Sequence, residues 1–379
     1  VSRLAIGGNR RSVAAMKRVT MILLLGLCAT QGAPCRARAE EAKPVAEPAV
    51  SPSSAKEEPE ADYLALADTP LFLPRSYFYW GTPVGPRGER TPLVFGLEYA
   101  LHLPIFNDIR DQLLLGKHWA GAVTLSFEGA LRMLATDSDP VRMPSYRPSF
   151  SGQLFYTWYR EAPLTFGLRS SLYHYSNGQE RCAFDETLSD LSGACLKKVG
   201  STRDLPGELN RKSGNFSTSG ALFELHARIH KLNANGLSVA HLSAGFGYSR
   251  NFKTFLGSMD APTRALYGSD RLEGNLEGKR RMGWASLTLR SAIFHYLADD
   301  ARVPSTAGLV EIVVAPYWLS GIGLFARYYG GRDFYNAFFV DRLQQLTTGI
   351  AWDGERPLKF KREDERRLPA SGGWTRLAR

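Results

Sequence analysis

His174 and Ser176 stand two residues apart at the end of the run Leu164 to Ser176, in which Leu164, Phe166, Leu168 and Leu172 alternate with Thr165, Gly167, Arg169 and Ser171. A strand repeats every two residues, so base and hydroxyl share the apolar face with their backbones about 7 Å apart. An imidazole beside a serine hydroxyl is the pair that makes a nucleophile. It needs a third polar group to hold the ring and N–H donors for the oxyanion. If that apolar face meets lipid, the pair sits on the outside of a barrel, where a lipid ester reaches it directly. Taken alone the pair is a weak signal, because a histidine beside a loop is usually just solvated.

The elements that must position the pair are strands. From residue 92 onward the signal is alternation over ten to fifteen residues, broken by Gly, Pro, Asn and Asp, with no amphipathic helical pattern competing. It predicts ten strands, over 92–103, 118–134, 148–160, 163–177, 216–231, 236–251, 281–295, 307–318, 321–331 and 343–353. The stretches 71–83, 105–117 and 253–280 could each hide another, giving an all-β, antiparallel transmembrane β-barrel of about twelve strands. In the second strand Trp119, Val123, Leu125, Phe127, Leu131 and Met133 oppose Thr124, Ser126, Glu128 and Arg132; in the eighth, Val310, Ile312, Val314 and Trp318 oppose Glu311. An outer-membrane barrel turns the first set outward and a soluble lipocalin-like barrel turns it inward, and parity alone does not choose. Turns at 161–163 and 233–236 are short whereas the loops 178–215 and 253–280 are long, so Ser176 is expected near the outer leaflet.

Residues 1–39 read as a signal peptide with an upstream start. Met16-Lys17-Arg18 leads an apolar run, Met21 to Leu27, too short to span a membrane as a helix, and Ala37-Arg38-Ala39 offers the cleavage site. Segment 40–61, rich in Ala, Pro, Glu and Ser, is expected to be a disordered periplasmic tether, 62–91 an aromatic N-terminal segment, 92–353 the barrel and 354–379 a charged tail. Seven of the 47 basic residues and no acid precede Glu40, so the remainder carries 40 basic against 37 acidic residues and the formal +10 falls to +3. Nucleic-acid binding has no support from so mixed a charge. Cys28 and Cys35 leave with the leader, and the remaining pair, Cys182 and Cys195, reads as a disulfide in an exported protein.

The run His174-Tyr175-Ser176-Asn177-Gly178 resembles the H-x-S-N-G signature of the outer-membrane phospholipase A family. Less specific likenesses lie at Gly96 to Pro104, Ser145 to Phe150, Tyr328 to Asn336 and Leu346 to Trp352. The resemblance implies a twelve-stranded barrel in the outer membrane with an outward-facing site, and a calcium-dependent phospholipase activated by forming a homodimer. Ser176 would be the nucleophile and His174 the base, while Asn177 and Gly178 would shape the turn and place oxyanion donors. The family's third residue is an asparagine about a dozen positions after the serine, but here a loop of nearly forty residues intervenes. Asn215 is preferred because it shares the parity of Ala221, Phe223 and Leu225; Asn210 and Ser219 are the alternatives. The family's calcium-binding stretch has no recognisable counterpart and Gln179 replaces its arginine, so Ca²⁺ is implied without identifiable ligands; Glu180, Asp185, Glu186 and Asp190 merely offer oxygens. The other readings are a lipid A deacylase barrel, which also carries a His-x-Ser pair outside, and a non-catalytic channel or binding barrel.

Overall fold

The computed structural model describes residues 72–83, 93–134, 141–202, 204–252, 261–298, 300, 302–319, 321–333, 339–352 and 358–361. The expected leader and tether, and nearly all of the tail, lie outside them. Twelve antiparallel strands close into one barrel. In chain order they are β1 (Ser76–Pro83), β2 (Leu93–Asn107), β3 (Trp119–Leu134), β4 (Val141–Trp158), β5 (Leu164–Ser176), β8 (Ser217–Leu232), β9 (Ser238–Asn251), β10 (Asp270–Arg281), β11 (Ala285–Leu297), β12 (Thr306–Pro316), β13 (Ile322–Arg332) and β14 (Arg342–Trp352). A small hairpin, β6 (Arg181–Cys182) with β7 (Asp185–Ser189), lies in the loop after β5. Closure comes from β1, which pairs with β14 on one side and β2 on the other. No backbone edge is left facing lipid.

Two barrel strands lie beyond the ten that alternation predicts. In β1, Tyr77 and Tyr79 point in while Phe78 and Trp80 point out, so aromatic residues on both faces erase the alternation. The barrel therefore starts at Ser76 rather than 92, in one of the stretches that could hide a strand. A Cβ at Gly96 would lie 2.4 Å from the Tyr79 ring, so β2 needs glycine where that ring packs. In β10 the outward positions are Leu272, Gly274, Leu276, Gly278 and Arg280, too dilute to register, whereas Glu277 turns in to meet Arg75 at 2.7 Å. The third doubtful stretch, 105–117, extends β2 and then forms a short helix, α1 (Ile109–Leu114).

The faces settle the choice between barrel types. Leu103, Leu125, Leu172, Leu225 and Leu324 are exposed on the outside, while Thr124, Ser126, Arg132 and Glu311 are buried within. Such a wall is stable only against lipid, which makes this a transmembrane barrel. The lumen is filled by ion pairs: Arg169 with Glu224 at 2.9 Å, Arg132 with both oxygens of Asp333 at 2.9 Å, and Arg327 with Glu311 at 2.8 Å and Glu98 at 3.1 Å. His102 reaches Ser126 and His226 stacks on Phe72, so both belong to this interior.

An apolar cluster sits at each end. At the short-turn end, α1 and the tail residues Leu358 and Phe360 pack with Phe72 and Tyr159. At the other end, residues from the loops after β5, β9, β11 and β13 form an apolar cap that includes Phe184, Phe216, Leu266, Val303 and Phe339. Removing one partner of a buried, hydrogen-bonded ion pair leaves an uncompensated charge at a cost of about 3–5 kcal/mol. Glu224→Ala is expected to lose that much stability, read as a lower urea midpoint for the refolded barrel in detergent, with Glu224→Gln losing less.

Candidate functional site

On β5 the exposed residues are Phe166, Leu168, Ser170 and Leu172 and the buried ones Thr165, Gly167, Arg169 and Ser171. Parity therefore puts His174 and Ser176 on the outer wall, directly above the apolar belt that ends at Leu172. Across from β5 runs β8, whose odd residues face outward, and the register sets His174 opposite Ser219 and Ser176 opposite Ser217. Side chains meet accordingly. The His174 Nδ1 lies 2.9 Å from Ser219 Oγ, and its Nε2 lies 3.4 Å from Ser217 Oγ. Ser176 Oγ accepts the Gly178 N–H at 3.1 Å, and among the described residues no hydrogen bond joins it directly to His174.

The turn after Ser176 is built by Asn177. Its side chain is wholly buried, donating to the Gly214 carbonyl at 2.8 Å and accepting the Phe216 N–H at 3.0 Å and the Gln179 N–H at 3.2 Å. Its own N–H donates to the Phe216 carbonyl. Asn177 thus ties the end of β5 to the segment that enters β8. Gly178 follows with φ +66°, a left-handed conformation natural to glycine, and this turns its N–H back toward Ser176.

The third position is where the structure departs from the sequence reading. Asn215 has the right parity but precedes β8, and its amide donates to Asp190 at 2.6 Å. Asn210 is also committed elsewhere, donating to the Cys182 carbonyl at 3.1 Å while its Oδ1 caps the Lys212 and Ser213 N–H groups. The group on the imidazole is Ser219. Ser219 and Asn215 share one parity, so strand spacing could not choose between them; the loop's return path decides which residue comes opposite His174. Ser217 was missed outright, although its odd number beside Ser219 placed it on the outward face.

The long loop is a folded unit. Ser192 caps α2 (Gly193–Ser201) by accepting the Cys195 N–H. Cys195 is bonded to Cys182, with Cα atoms 5.6 Å apart, and both are buried in the cap. The short α3 (Leu205–Glu208) and residues 209–216 then run back beside β6, with Asn215 N–H on the Arg181 carbonyl. Two of the acids offered for Ca²⁺, Asp185 and Asp190, already hold other partners. Thr187 occupies Asp185 with its hydroxyl and N–H, which holds that carboxyl below the usual range. Asp190 is taken by Asn215, and no cluster of three His, Cys, Asp or Glu side chains exists among the described residues.

Fold and wall together define the class: a closed transmembrane β-barrel bearing a Ser/His constellation on its lipid-facing surface. No protein-family model and no curated protein matches the chain. Among solved structures it is similar to outer membrane phospholipase A from Escherichia coli, at 13% identity over 74% of this chain and 97% of that one, with a TM-score of 0.45. It is also similar to the Salmonella typhi outer membrane phospholipase dimer with bound calcium (14% identity, 74% and 90% covered, TM-score 0.44) and to LpxR from Salmonella typhimurium (8%, 73% and 99%, 0.32).

Asn177→Ala orphans two backbone N–H groups and a carbonyl, each worth about 1–3 kcal/mol when buried. The expected outcome is a lower unfolding midpoint together with protease cleavage between 178 and 215 at concentrations that leave the parent chain intact.

Proposed function

We propose that this barrel is an outer-membrane esterase that cleaves acyl esters of phospholipids at Ser176. The observation that carries the reading is the outward His174, held at Nδ1 by Ser219 and within one residue pair of a serine whose hydroxyl is met by a backbone N–H. The ring that serves as a base carries its proton on Nδ1 and gives it to Ser219 Oγ, leaving Nε2 free to accept. Ser176 Oγ attacks the ester carbonyl, and the Gly178 N–H, which lies beside that oxygen, serves as an oxyanion donor. Expulsion of the lysolipid leaves an acyl-serine, which water hydrolyses with the same base. A neutral hydroxyl orients imidazole less firmly than a carboxylate, so turnover is expected to be slow.

The position of His174 on the outer wall supports the same reading. Cavities of about 570 and 240 Å³ lie inside the barrel, on the other side of the wall. A site open to the bilayer needs no pocket, because the membrane itself delivers and orients the ester. Such a site meets lipid continuously, and the proposed restraint is that the monomer stays inactive until it forms the homodimer that the resemblance implies. Deacylation of lipid A is the second reading, favoured by a site at the long-loop end, where the outer leaflet lies. A channel is disfavoured by the packing of both barrel ends.

The test is fatty-acid release from detergent–phospholipid micelles by the refolded protein. Ser176→Ala and His174→Ala are each expected to reduce release by roughly 10³-fold or more. Ser219→Ala should lose roughly 10- to 100-fold, Ser219→Asn should recover much of that, and Asn215→Ala should match the parent. Equal release in Ca²⁺ and in EDTA is expected of a chain in which Asp185 and Asp190 are already engaged and no cluster of three acidic or histidine ligands stands among the described residues. Inactivity on phospholipid with hydroxylated fatty acid released from lipid A would move the assignment to the second reading.

A further inference from the structure

The hydroxyl nearest the catalytic base is not that of Ser176. His174 Nε2, the nitrogen left free by the Ser219 contact, points at Ser217 Oγ, 3.4 Å away on the neighbouring strand. Ser217 in turn stands directly opposite Ser176 in the β5–β8 register. Directly opposed residues on one face have Cβ atoms about 4.5–5.5 Å apart, which brings two serine hydroxyls within hydrogen-bonding range of each other. A diagonal pair such as His174 and Ser217 lies farther apart, and only a long or aromatic side chain spans it. The imidazole spans it here. Side-chain geometry thus lays out one row across two strands: Ser176, Ser217, His174, Ser219.

We infer that Ser217 is a further catalytic residue, the relay through which the proton of Ser176 reaches His174. The inference rests on the esterase reading of the site. As Ser176 Oγ bonds to the ester carbon and the carbonyl pair moves onto oxygen, the Ser176 proton passes to Ser217 Oγ. In the same event the proton of Ser217 passes to His174 Nε2, leaving a neutral serine and an imidazolium. When the tetrahedral intermediate collapses, the bond to the leaving alkoxide breaks; that oxygen takes a proton from Ser217, which regains one from His174. Deacylation repeats both transfers with water as the nucleophile. No proton is gained or lost over the cycle, and no co-reactant beyond water is needed.

Two observations assign attack to Ser176 and relay to Ser217, rather than the reverse. The Gly178 N–H donates to Ser176 Oγ and not to Ser217, which sets a backbone donor beside the point where Ser176 would meet an ester. Ser176 is also the last residue of its strand, beside the turn built by Asn177, whereas Ser217 opens a strand whose backbone continues the ladder. The relay also gives a physical use to a serine where the register already seats one polar partner for the imidazole.

The experiment uses the full refolded chain in detergent, with its folded state followed by heat-shifted gel migration. Turnover of a phospholipid substrate is measured for the parent, Ser217→Ala, Ser217→Thr and Ser176→Ala, and the parent's kcat is followed across mixtures of H₂O and D₂O. Ser217→Ala is expected to lower kcat by roughly 10²-fold or more with KM within about twofold, and Ser217→Thr, which keeps a hydroxyl, to restore most of it. The parent's kcat should fall along a curve that requires two protons in flight, a readout that a merely structural serine would not move and that needs no variant to fold. A linear dependence on deuterium, or a folded Ser217→Ala as active as the parent, overturns the relay while Ser176→Ala inactivity leaves the esterase standing. Undiminished turnover by Ser176→Ala, or none by the parent, overturns the esterase reading and the relay with it.

Discussion

Inside a bilayer no water is available to a backbone N–H or C=O, so a chain that crosses lipid with strands must close its sheet. Everything else in this molecule follows from that closure. Once β1 bridges β14 and β2, every strand has two neighbours and each residue faces either lipid or lumen. The period of two then sorts the chemistry. Leu168 and Leu172 go out with His174 and Ser176, and Arg169 and Ser171 go in. The position of His174 and Ser176 on the lipid side is thus a consequence of strand parity, fixed two residues above the apolar belt by the length of β5.

The lumen provides rigidity in place of a hydrophobic core. Its charges cannot reach bulk water easily, and opposite charges meet across the barrel, as Arg169 meets Glu224 and Arg327 meets Glu311 and Glu98. Phe72 enters this interior before β1 begins, stacked on His226. At the outer end, the disulfide-bonded loop joins the apolar cap and returns as the segment that Asn177 holds. The wall behind the site is therefore braced from within. The site's own residues need only the register of β5 on β8 to meet.

Much of this was legible in the sequence, and the failures have physical causes. Ten strands were readable because lipid and ion pairs impose opposite demands on alternate residues. β1 was not, since Tyr77 donates to Glu311 inside while Phe78 faces lipid, and a tyrosine's ring and hydroxyl satisfy both environments. β10 was not, because glycines occupy its outward face. His174 and Ser176 could be placed by counting, within one strand. Their partners could not, because Ser217 and Ser219 are brought in by a loop of nearly forty residues whose path depends on Cys182, Cys195, Asn210 and Asn177 together. Asn215 was preferred on a parity that holds only inside β8, and it lies just before that strand begins.

The central claim is that Ser176 is a nucleophile exposed to lipid on the outer wall. The most direct measurement is to expose the folded protein in lipid vesicles to a long-chain alkyl fluorophosphonate and locate the adduct by peptide mass spectrometry. The account predicts a single phosphonyl group on Ser176, whose formation requires His174. A folded protein that takes up no label, or one labelled at Ser217 instead, would contradict it.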